Sequence, residues 1–132
     1  MISSINDSRP PYKFWIPVVC YMAAIFYVSS LSDPPVPANS DKGLHWLAYL
    51  GLAVLVVRAL VRGLPRRISL GVAAAAVAIT VAYGATDEVH QLFVPGRTGD
   101  IYDLMADAAG AVVGTVACVL WGYNRPSSRD GL

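Results

Sequence analysis

The stretch DKGLHWLAYLGLAVLVVRALV, Asp41 to Val61, decides the fold. From Gly43 to Val61 only His45 and Arg58 interrupt the apolar and small residues. Roughly 17–25 such residues are needed to cross about 30 Å of hydrocarbon. In lipid the backbone must satisfy its own hydrogen bonds, so a continuous run of this length is a helix. Helical spacing then puts Asp41, His45 and Tyr49 on one face, four residues apart, at the entrance to the span.

Working outward, three more segments read the same way: Phe14 to Leu31, Ile68 to about Thr86, and Ile101 to Tyr123. The third is expected to run past the membrane surface to Phe93. Of the 132 residues, 55% are hydrophobic and only 14% charged, whereas a soluble domain carries roughly 25% charged residues. The expected fold is an all-α, polytopic bundle of four transmembrane helices. Its domain is residues 14–123, between tails at 1–13 and 124–132. A competing reading makes the first segment a cleaved signal peptide ending at Val28-Ser29-Ser30, which would leave three spans. Its aromatic content and length favour an anchor.

Charge sets the orientation. Eight of the ten basic residues, Arg9, Lys13, Arg58, Arg62, Arg66, Arg67, Arg125 and Arg129, fall at one end of the spans. The positive-inside rule places that end, with both termini, in the cytoplasm. Arg58 is expected to snorkel to that surface. Seven of the nine acidic residues and both histidines fall at the other end, which then faces outward.

The connections are short and specific. Pro34, Pro35 and Pro37 stiffen the first loop, and Ser40 is placed to cap the second helix. Arg62 to Arg67 links antiparallel neighbours. Pro95 and Gly96 read as the centre of a type II turn, and Asp100 as the cap of the fourth helix. Gly110 and Gly114 allow a close helix approach. Cys20 and Cys118 lack metal-ligand spacing and read as small packing residues.

The outward end carries the chemistry. Asp103 and Asp107 share a face of the fourth helix, with Asp107 roughly 9 Å deeper than Asp100 at about 1.5 Å per residue. Glu88 and Gln91 lie together on the third helix, with Gly84 one turn below. Carboxylates outnumber Lys42, Arg97, His45 and His90 together. They require protonation, a bound cation or a cationic ligand group to coexist. Divalent metal is one solution, with His45, His90 and Asp107 as candidate ligands beside Asp41, Glu88 and Asp103, although no established zinc motif is present. Acid–base chemistry by Glu88 and His45 is another, with Arg97 holding a phosphate or carboxylate. Each group also has a structural reading: a histidine bonded to a carboxylate, an Arg97 paired with Asp103 or Glu88, tyrosines at the interface. No serine elbow or outward cysteine supports covalent catalysis. The basic residues line the membrane surface, so no nucleic-acid partner is expected.

Asp41-Lys42-Gly43-Leu44-His45-Trp46-Leu47-Ala48-Tyr49 resembles the D-K-x-x-H-x-x-x-Y motif of VanZ-like membrane proteins. Asp87 to Arg97 is similar to their D-E-x-x-Q-x-F-x-P-x-R segment, and Asp103 to Gly110 to their D-x-x-x-D/N-x-x-G. Ser29-Ser30 fits as well. The resemblance covers about Phe14 to Trp121. It implies a multi-pass protein of the bacterial cytoplasmic membrane, in a family named for a protein associated with teicoplanin resistance. It strengthens a site at Asp41, His45, Glu88, Gln91, Arg97, Asp103 and Asp107 without naming its chemistry. The expectation is an outward-facing pocket, Tyr49 included, that binds an envelope ligand such as a lipid-linked phosphate or glycan precursor, with Glu88 and His45 as the candidates for modifying it. The alternative is a non-enzymatic scaffold or accessory protein in which the same cluster clasps the helices together.

Overall fold

The computed structural model describes residues 9–35 and 41–125. It contains four helices: α1 (Tyr12–Ser29), α2 (Asp41–Leu60), α3 (Leu70–Gln91) and α4 (Ile101–Tyr123). Each is long and apolar enough to cross a membrane. No strand occurs among the described residues. The expected Ser40 cap lies outside them, as do parts of both tails.

Local chemistry fixes the helix ends. Ser69 caps α3, its Oγ accepting from Val72 N at 3.2 Å. Asp100 caps α4 as expected, accepting from Tyr102 N at 2.8 Å. Between them, Arg97 N donates to Val94 O at 3.1 Å, and Gly96 adopts φ +80°. These are the bond and the positive φ of a type II turn, with Pro95 at its first corner. α1 begins at Tyr12 and α2 at Asp41, each two residues before the apolar run. α3 stops at Gln91 rather than Phe93.

The helix α2 is the centre of the bundle. Its Leu52, Ala53, Val56 and Val57 are almost fully buried. Its most extensive contact is with α4, and the reason is two glycines. A Cβ at Gly110 would enter the Trp46 carbonyl, and one at Gly114 would stand 2.6 Å from Leu50 O. Without those atoms the backbones close on each other, the approach small residues permit in lipid. α1 touches α2 and α3 but not α4. It packs through Phe14 and Val18. Cys20, two positions on and so turned about 200° away, is exposed; of the two cysteines expected to pack inside, only Cys118 is buried.

The perimeter is apolar, with Ile16, Val19, Leu47, Val112 and Val116 exposed, as expected of a surface that meets lipid. Exposed aromatics mark both ends: Tyr12, Trp121 and Tyr123 at one, Phe93 and Tyr102 at the other. At the basic end, the Arg58 guanidinium sits 5.3 Å from the Phe14 ring centroid, and Arg67 sits 5.8 Å from that of Tyr123.

Candidate functional site

The acidic end is assembled from the first two turns of α2 and α4, the last two turns of α3, the end of α1 and the α3–α4 loop. Its deepest charged residue is Asp107, with no exposed surface. His45 Nδ1 lies 2.9 Å from Asp107 Oδ1. The other ring nitrogen, Nε2, faces Asp41 Oδ1 and Asp103 Oδ2, each at 3.9 Å. Tyr49, one turn below, holds its ring parallel to the imidazole at a centroid distance of 6.5 Å. Gly84 of α3 makes room for this layer. A Cβ there would meet Asp107 Oδ2 at 3.0 Å and the Tyr49 ring at 3.2 Å.

Above this layer, Lys42 bridges α2 to α4. Its Nζ donates to Asp100 Oδ2 at 3.1 Å and to Asp103 Oδ1 at 3.3 Å. The Tyr102 backbone N–H and then the Lys42 ammonium hold the Asp100 carboxyl below its ordinary value. Glu88 ties α3 to the start of α4, its Oε2 accepting from Asp100 N at 3.0 Å. Lys42 thus fills the pairing role that Arg97 would have taken with Asp103.

A second knot joins α1 to α3. Ser29 Oγ donates to Asp87 Oδ2 at 2.8 Å, and Gln91 Nε2 reaches the same oxygen at 3.4 Å. Asp87 is 3% exposed, and its place here was not legible in the sequence. Gln91 four residues on was the available signal, but the serine partner comes from a distant segment. His90 faces elsewhere. It stacks on Phe26 at 4.3 Å, and its Nε2 lies 2.9 Å from Ser30 Oγ. Of the proposed metal ligands, His45 and Asp107 come together and His90 does not join them. Among the described residues, two sets bring their ligand atoms within 4.8 Å of one another: Asp41, His45 and Asp103, and the buried His45, Glu88 and Asp107.

Two cavities meet at this end. One, of about 350 Å³, runs between α1 and α2. Its walls are mostly apolar, with Tyr21, Ala24, Ile25, Val28, Leu44 and Ala48, and His45, Tyr49 and Asp87 form its polar side. The other, of about 340 Å³, is polar and is lined by Ser32, Asp33, Gln91, Thr98, Asp100 and Asp103. Pro34, Asp41 and Arg97 border both. The Arg97 guanidinium is half-buried there, and it has no ion pair or side-chain hydrogen bond among the described residues. The turn that carries it packs on the first loop: a Cβ at Gly96 would lie 3.5 Å from Ser32 O.

This arrangement offers a cation at the junction of a wet and a greasy space, with a buried imidazole–carboxylate pair alongside. No curated protein and no solved structure matches the chain. The VanZ/LLP1 family model matches residues 14–122. That span takes in the three polar segments and nearly the whole of all four helices, and the chain accordingly belongs to this family.

Proposed function

We propose that the two cavities receive one amphiphilic ligand of the cell envelope, a lipid-linked phosphate or glycan precursor. Its anionic head would occupy the polar cavity against Arg97, and its chain the apolar cleft between α1 and α2. Arg97 carries the reading. A half-buried arginine without a side-chain partner among the described residues, at the border of both spaces, is a ready receptor for phosphate oxygens. The cleft spans Tyr21 to Ser29 on α1, about 12 Å at about 1.5 Å per residue, a length suited to part of an acyl or prenyl chain. By the positive-inside rule the mouth faces the extracytoplasmic side, in keeping with a bacterial inner-membrane protein. Acid–base chemistry would fall to His45, on the cleft wall beside Asp41, which borders both cavities, with Glu88 within 4.8 Å of it as its companion.

The test uses purified protein in nanodiscs and a polyprenyl phosphate as probe. Wild type is expected to bind it, and Arg97→Gln to bind at least tenfold more weakly at an unchanged melting temperature. The magnitude follows from losing a charge-assisted hydrogen bond of about 1.5–3 kcal/mol. Equal affinity for the neutral polyprenol, or an unaffected Arg97→Gln protein, would overturn the reading. The clasp reading is favoured by one observation, the Lys42 bridge between α2 and α4. It expects substitutions at His45 and Glu88 to lower abundance and melting temperature together, with no separate loss of binding.

A further inference from the structure

His45 sits in an arrangement that its hydrogen bonds do not complete. The residue is 9% exposed. Nδ1 is held at 2.9 Å by Asp107, which has no exposed surface. Nε2 makes no hydrogen bond among the described residues. It points between two carboxylate oxygens, one from α2 and one from α4, each at 3.9 Å. Carboxylates only accept, so with the proton on Nδ1 three acceptors face one point. A proton on Nε2 instead would find both oxygens beyond hydrogen-bond reach. A ring protonated on both nitrogens would gain ion pairs with the two oxygens, but at 3.9 Å still no hydrogen bond on Nε2. Asp107 Oδ2 and Glu88 Oε1 are buried and have no hydrogen-bond partner among the described residues.

We propose that His45 Nε2, Asp41 Oδ1 and Asp103 Oδ2 form a binding site for a divalent first-row transition metal, zinc or manganese(II). One imidazole and two carboxylates are a donor set these ions accept. Bonds of about 2.0–2.2 Å place neighbouring ligand atoms about 3.0–3.5 Å apart. The present 3.9 Å separations are therefore wider than a loaded site by about 0.4–0.9 Å; the half-exposed Asp41 closes its own by rotating, and the imidazole and Asp103 must approach each other to close the second. Asp107 is the positioning residue. Its bond to Nδ1 fixes the tautomer that turns the Nε2 lone pair toward the ion, the carboxylate–histidine–metal relation common around bound metals. The alternative buried set, His45 with Glu88 and Asp107, would spend the Nδ1 bond and would leave the ion away from the polar cavity. Asp41 and Asp103 both line that cavity, as does Arg97. An ion there keeps open positions toward the same space that an anionic head would fill. The metal site stands without the lipid reading, and the lipid reading stands without it.

The test uses the metal alone. Metal-stripped full-length protein in detergent is titrated with Zn²⁺ against a chelating dye, and Cu²⁺ is used as a spectroscopic probe. One equivalent is expected to bind. Copper electron paramagnetic resonance is expected to show superhyperfine splitting from a single imidazole nitrogen, which needs no variant to fold. His45→Asn is expected to abolish stoichiometric binding, Asp103→Asn to weaken it at least tenfold, and Asp107→Asn to weaken it less. Glu88→Gln is expected to leave it unchanged. No uptake by wild type, a spectrum without nitrogen coupling, or binding that survives His45→Asn would overturn the proposal. Loss of binding in Glu88→Gln would overturn this placement in favour of the buried set. Polyprenyl phosphate binding measured on the same samples without metal reads the lipid proposal separately.

Discussion

At the scale of single residues, room is as informative as charge. Gly84 faces the Asp107–Tyr49 layer, and a methyl group there would press on Asp107 Oδ2 at 3.0 Å and on the Tyr49 ring at 3.2 Å. Tyr49 and Asp107 are both buried and cannot step aside into solvent. Gly84→Ala is therefore expected to destabilise by about 1–3 kcal/mol, the usual range for overpacking, despite the gain in helix propensity. Thermal unfolding in detergent measures this, and an equal or higher melting temperature would show that the layer has slack. Asp100 makes the opposite kind of point, because its contribution is electrostatic and exposed. Its folded-state acidity is increased by the Tyr102 N–H and by Lys42. A lowered value stabilises above the ordinary carboxylate range, and that contribution disappears as pH falls through the folded value. The melting-temperature gap between wild type and Asp100→Asn is thus expected to be widest near neutral pH and to close in acid. A gap independent of pH would assign the effect to capping geometry alone.

At the scale of elements, α2 and α4 are joined by missing atoms. Gly110 lies against the Trp46 carbonyl and Gly114 against that of Leu50, so any side chain pushes two backbones apart. Gly43, at the start of the same α2, has nothing within 4 Å of its would-be Cβ. Gly110→Ala is expected to cost several kcal/mol, and Gly43→Ala to be neutral or stabilising by up to about 1 kcal/mol from propensity. Parallel measurements of folded yield and melting temperature check the pair. Similar effects at the two positions would remove the packing argument. The same closeness brings the first turns of α2 and α4 side by side. That is why Lys42 reaches Asp103, and why His45 reaches Asp107 across 62 positions in sequence.

At the scale of the whole molecule, the bundle has a basic end with aromatic partners and an acidic end with two cavities. Orientation rests on charge asymmetry, and it is open to direct labelling. Thr98→Cys, in the α3–α4 loop, is expected to react with a membrane-impermeant maleimide added to intact spheroplasts. A cysteine at Arg66, in the α2–α3 link, is expected to react only after permeabilisation. Both belong in a background that lacks Cys20 and Cys118. The reverse pattern would turn the pocket toward the cytoplasm and remove the reason for an extracytoplasmic ligand.

Much of this molecule was determined by sequence alone. Four apolar runs dictate four helices, because lipid leaves the backbone no other means of satisfying its hydrogen bonds. The type II turn at Pro95-Gly96 and the Asp100 cap follow from local chemistry that needs no distant partner. The spacing of Asp41, His45 and Tyr49 placed them on one face. What the sequence could not assign were the partners. Whether Arg97 or Lys42 neutralises Asp103, whether His90 joins His45 or stacks on Phe26, and whether Asp87 meets Ser29 depend on helix rotation and depth. Those are set by how closely α2 and α4 approach and by where α1 leans, which are properties of packing between segments far apart in the chain. The border between the wet and the greasy cavity, with Arg97 on it, exists only once all four helices are in place.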